Sequence, residues 1–139
     1  MLALRSLTNL FAQPAGLSLM KANRERVIPA VLATAAGANK NSQIAATSVF
    51  LNFAVQLNGE SDIEAKSQLV AAAAEMASQL AEPEAHFRLL VAFGTMLGKD
   101  ANAKELAKSM ELHLYTTKCS AIFEPKKVSE CAQLVAKML

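Results

Sequence analysis

From Leu2 to Met138 the apolar residues return every three or four positions, the spacing that gathers them on one side of a helix, and nowhere do they alternate over the length of a strand. This period excludes a sheet-based core and makes the fold class all-α. It predicts helices over 2–12, 17–36, 42–57, 62–80, 84–97, 101–110 and 126–138. The interruptions have chemical causes. Pro14 with Gly16, Gly37 with Asn39, Asn58 with Gly59, Glu82 with Pro83, Gly98, and Glu124 with Pro125 supply either a residue that accepts positive φ or a ring that cannot continue a helix. Pro29 lies within the second segment and is expected to kink or divide it. Ser61 followed by Glu64 spells a capping box. Between Leu112 and Phe123 the period lapses, which predicts an irregular segment.

A weak internal repeat narrows the architecture. Residues 3–11, 46–54 and 89–97 align at a spacing of 43, which superposes Leu7, Phe50 and Phe93, then Leu10, Phe53 and Met96. Asn9, Asn52 and Thr95 also coincide. Repeats of two or three helices at about 40 to 47 residues are the hallmark of HEAT and armadillo arrays, where each unit buries its apolar face against its neighbours. The expected architecture is an armadillo-like helical solenoid.

The repeat also places the polar residues. Along residues 84–97 the polar stripe runs through Glu84, Arg88, Ala92, Thr95 and Lys99, on a helix otherwise filled by Phe87, Leu89, Leu90, Val91 and Phe93. Arg88 is the one cation between Glu84 and Leu97. The second repeat offers Ala45, Ser48, Asn52 and Gln56, and the first offers Arg5 and Asn9. Stacked helices with small or polar faces can line a peptide groove, which makes Arg88, Asn52 and Arg5 the candidate peptide-binding residues. The competing reading is that Arg88 pairs with Glu84 or caps a neighbouring helix.

Composition bounds the remaining options. With 53% hydrophobic residues in 139, the chain can bury a core without disulfides or a structural metal. Its most apolar stretch, Ile44 to Leu57, contains Thr47, Ser48, Asn52 and Gln56, so no membrane span is expected. The net charge of +2 is uneven: Met1 to Asn58 carries +4 and Gly59 to Leu139 carries −2. Without basic runs or interleaved aromatics this is no nucleic-acid footprint, and an anionic peptide fits it better. Cys119 and Cys131 form no CxxC pair and are expected as free thiols. His86 and His113 fit no metal or catalytic motif, so neither a cofactor nor a catalytic residue is expected. A Cys119–His113 nucleophile would need a thiol of depressed pKa.

Three blocks carry a family resemblance: GANKNSQIAATSVFLNFAVQL at Gly37 to Leu57, HFRLLVAFGTML at His86 to Leu97, and EPKKVSECAQLV at Glu124 to Val135. In order and spacing they resemble the C-terminal PUL domain of the phospholipase A2-activating protein family, an armadillo-like helical solenoid. The resemblance implies that residues 1–139 form a partial PUL domain, its C-terminal repeats. It further implies a non-enzymatic adaptor that binds the acidic, tyrosine-containing C-terminal tail of valosin-containing protein, an AAA ATPase of ubiquitin-dependent protein turnover, through a basic groove. Arg88 matches the arginine of the family's FRLLVA-like block. Contact with the ubiquitin machinery would be indirect, and the compartment cytoplasmic or nuclear. The alternative is a purely structural helical array, or a mitochondrial helical protein carried by the basic, acid-free stretch from Met1 to Arg24.

Overall fold

A computed structural model describes residues 9, 12–35, 39–56, 63–98, 100–122 and 124–139. Eight helices occur among them, and no strand: α1 Pro14–Ala22, α2 Arg24–Ala35, α3 Lys40–Gln56, α4 Ile63–Ala77, α5 Pro83–Leu97, α6 Ala101–Ser109, α7 Leu112–Ser120 and α8 Lys126–Met138. The expected helix at 2–12, the capping box at Ser61, and Arg5 lie outside the described residues.

The helices stack in two layers. One layer is α3, α5 and α8 side by side, with α5 packed most extensively on α3 and then on α8. The other runs α2, α4, α6, and α7 closes the far end between α6 and α8. Helices α3 and α5 run parallel, because contacts join their N-terminal ends: Lys40 pairs with Glu82 at 3.6 Å, and the backbone N–H groups of Ala81 and Glu82 donate to Gln43 Oε1 at 3.1 and 3.2 Å. The buried amide of Gln43 thus satisfies donors at the approach to α5 that would otherwise be orphaned. Helix α8 is parallel to α5 as well, since Glu84 meets Lys127 near one end while Gly94 faces Val135 and Met138 at the other. Parallel helices recurring in one layer are what a solenoid of short repeats produces.

Burial follows the repeat read from the sequence. Phe50, Phe53 and Phe93 are inaccessible and Met96 is nearly so. The period extends to α8, where Val128, Ala132 and Val135 are buried at the positions 43 beyond the buried Ala85, Leu89 and Ala92. Each fully buried Leu or Phe side chain contributes roughly 1.5–3 kcal/mol. This core holds the layers together.

Four expectations are corrected. The division of the second predicted segment falls at Asn23, and α2 is not divided at Pro29. Asn23 ends α1 by donating its side-chain amide to the Leu19 carbonyl at 2.9 Å, and its own carbonyl accepts from Arg26 and Val27 to begin α2. Pro14 opens α1 at its first turn, where a missing N–H costs nothing, and Gly16 is buried inside that helix. The segment expected to be irregular contains α7. Its inward positions are Leu112, Thr116 and Cys119, so the helical spacing is present but only one of the three residues is aliphatic. The hydroxyls of Thr116 and Thr117 donate to the His113 carbonyl at 2.9 and 2.8 Å, and that of Ser120 to Thr116 at 2.8 Å. Those bonds keep polar side chains compatible with the helix. Finally, Ala92 and Ala45, assigned to the polar stripes, are buried.

Candidate functional site

Helix α5 leaves one narrow stripe at the surface. Glu84, Phe87, Arg88, Val91 and Thr95 are all partly exposed, whereas their neighbours Ala85, His86, Leu89, Leu90, Ala92, Phe93 and Met96 are buried. Val91 therefore occupies the place expected for Ala92. On α3 the same surface continues through Ser48, Leu51 and Asn52 to the exposed Val55. On α8 it continues from Lys127 to the exposed Leu134, two turns along the same helix face.

Arg88 sits at the middle of this surface. Its Nε donates to Glu84 Oε1 at 3.3 Å, one turn back on α5, and its Nη1 donates to the hydroxyl oxygen of Ser48 on α3. Ser48 can accept because its own proton goes to the Ile44 carbonyl at 2.8 Å. Arg88 Nη2 makes no hydrogen bond among the described residues, and the side chain is 36% exposed, so part of the guanidinium fork faces solvent. The competing reading of Arg88 as the partner of Glu84 is thus realised, and it leaves donors over. Asn52 stands one turn beyond Ser48, partly exposed and without a side-chain hydrogen bond among the described residues. The structure therefore brings Asn52 and Arg88 onto one surface. Arg5 is not described, and its repeat companion Asn9 is exposed.

One residue of this surface escaped the sequence reading. Lys127 Nζ, on α8, lies 2.5 Å from Glu84 Oε2 and 4.5 Å from the centroid of the Phe87 ring. An ammonium at that distance from an aromatic face gains a cation–π attraction. Hydrogen bonding from Lys127 is the largest influence on the Glu84 carboxyl and, joined by a lesser contribution from Arg88, pulls it below its ordinary range against the opposing effect of burial. The signal that could have found Lys127 is its spacing of 43 from Glu84, the repeat period itself.

These residues belong to a recognised domain. A family model described as PUL domain matches residues 1–134. The chain belongs to the PUL domain family. Across its whole length it is 39% identical to the phospholipase A-2-activating protein of Xenopus laevis, of which it spans 17%. The three blocks that carried the resemblance form α3, α5 and α8 of this PUL domain, the layer that presents Arg88.

A second polar cluster lies in the core of the PUL domain. His86, only 3% exposed, places Nε2 at 3.1 Å from the Leu80 carbonyl and Nδ1 at 2.8 Å from the Tyr115 hydroxyl. A carbonyl only accepts, so Nε2 carries the proton and Tyr115 donates to Nδ1. Cys119 Sγ is 3.8 Å from the same nitrogen. Burial lowers the His86 pKa, helped by the Lys118 charge, and raises those of Tyr115 and Cys119. A nucleophilic thiol needs the opposite shift. Cys119 meets the buried His86 and is itself buried, and His113 is exposed, so the Cys119–His113 pairing does not form. Among the described residues no group of three His, Cys, Asp or Glu could hold a metal ion, and no helix is long and apolar enough to cross a membrane.

Proposed function

We propose that this PUL domain is a non-enzymatic adaptor module that binds the acidic C-terminal tail of the valosin-containing protein AAA ATPase, acting in ubiquitin-dependent protein turnover in the cytoplasm or nucleus. The observation that carries the reading is Arg88: a partly exposed side chain, its guanidinium steadied by Ser48 and Glu84, at the centre of a surface shared by three stacked helices. Around it lie the partly exposed amide of Asn52, which has no side-chain hydrogen bond among the described residues, a second cation at Lys127, and apolar patches at Phe87, Val91, Val55 and Leu134. That combination suits a short peptide with carboxylates and an aromatic side chain, held by charge-assisted hydrogen bonds and apolar contact. Membership of the PUL family supports a protein-interaction role, and the Xenopus relative is named as an activating protein. Contact with the ubiquitin machinery is proposed as indirect.

Calorimetric titration with the tail peptide tests this. Arg88→Ala is expected to weaken binding by about 1.5–3 kcal/mol, the range for a hydrogen bond to a charged group. Arg88→Lys is expected to restore only part of it, because an ammonium lacks the planar fork.

One observation favours a second reading. Arg88 links α5 to α3 and Glu84 links α5 to α8, so the cluster ties the layer together, as a purely structural cluster does. In that case Arg88→Ala lowers the melting temperature and leaves peptide affinity unchanged.

A further inference from the structure

Peptide binding through Arg88 gives no reason for an acid in the middle of the positive surface, yet Glu84 is there. Its two carboxylate oxygens are divided between cations from two helices, Oε1 to Arg88 of α5 at 3.3 Å and Oε2 to Lys127 of α8 at 2.5 Å. The three side chains are 30%, 36% and 45% exposed, in the order Glu84, Arg88 and Lys127, so a solute can reach each of them. Pairs this exposed are individually weak and exchange readily. The cations, in contrast, are held by other contacts: Arg88 by Ser48, and Lys127 by the Phe87 ring. Taking Glu84 away would leave a guanidinium and an ammonium flanking the space its carboxylate fills, beside an aromatic ring.

We propose that Glu84 is an internal competitor, occupying a two-cation carboxylate site formed by Arg88 and Lys127, and that a carboxylate of an incoming acidic peptide displaces it. This rests on the binding reading above and deepens it, making Lys127 the second cation of the site and Glu84 its gate. Displacement needs only a rotamer change of a partly exposed side chain, and no covalent bond forms or breaks. The arrangement costs affinity and adds selectivity. A ligand must offer a carboxylate that engages both cations better than Glu84 does, and a neutral peptide has nothing to exchange for it.

Titration calorimetry with an acidic peptide ending in a free carboxylate, and with its amidated Gln/Asn counterpart, decides the matter. The proteins are wild type, Glu84→Gln, Lys127→Met, Arg88→Ala and Glu105→Gln. The last removes one negative charge on α6, where Glu105 pairs with Lys108 and not with the site. Glu84→Gln is expected to bind the acidic peptide about two- to fivefold tighter and Lys127→Met about two- to fivefold more weakly, the span of an exposed ion pair. Glu105→Gln and the neutral peptide should show no such changes. Unchanged or weakened binding by Glu84→Gln overturns the gate, as does equal tightening by Glu105→Gln, which would mark a general charge effect. If Arg88→Ala loses binding while Glu84→Gln changes nothing, the binding reading stands and the gate alone fails. Binding by Glu84→Gln but not by wild type supports the gate, and binding by neither overturns both.

Discussion

Two positions on α5, His86 and Arg88, are two residues apart and have opposite fates. His86 points into the core and is 3% exposed, while the side chain of Arg88 is 36% exposed. Each reaches two polar partners, His86 at Leu80 and Tyr115, Arg88 at Glu84 and Ser48. The buried contacts have no water to replace them, so losing one leaves a partner unsatisfied. The surface contacts can be traded for water or for a ligand at little cost. Burial therefore decides which cluster belongs to the scaffold and which is available for recognition.

The largest effect should come from breaking the inner cluster. His86→Ala removes the acceptor of Tyr115 and the donor to Leu80, and also leaves a void between α5 and α7. A loss of about 2–4 kcal/mol is expected in urea unfolding. Acid should do part of the same work. Because burial depresses the His86 pKa, its contribution to stability is fully present above the unfolded imidazole value of about 6.5 and is lost as pH falls from there towards the native pKa. Thermal melts should decline over that window, and less so for His86→Asn. Glu84 and Asp100, whose carboxyls are also depressed, add a further loss only below about pH 4. The smallest effect belongs to the outer cluster. Arg88→Ala should cost under about 1 kcal/mol of stability, since its ion pair is exposed. A larger loss would move Arg88 to the scaffold side of the comparison.

The legibility of the chain follows the same division between local and assembled features. Helices α3, α5 and α8 could be read within two residues of their bounds, because each carries a strong apolar period and a local start signal: Asn39, whose side chain accepts from Ser42 N–H at 3.0 Å, then Pro83, then Pro125. Helix α7 could not, because Thr116 and Cys119 stand where aliphatic residues would have marked the buried face. Pro29 is where the sequence predicts a kink or a division of the second segment, because its ring removes a backbone donor. Asn23 does the work through a side-chain bond that composition alone does not show. Arg88 was visible as the sole cation of an apolar helix. Lys127 carries no such local mark: only the 43-residue spacing points to it, and its place beside Glu84 is realised when α8 docks parallel to α5. His86 looked like a histidine without a motif, and its role appears only once α7 brings Tyr115 and Cys119 to it.

The central claim is that the outer cluster, and not the inner one, meets the ligand. Side-chain NMR during titration with the acidic tail peptide tests it directly, through the Arg88 Nε–H resonance and the His86 ring signals in one experiment. The account predicts a saturable shift of the Arg88 signal with the His86 signals stationary. Saturable binding that leaves Arg88 Nε–H unmoved would contradict it.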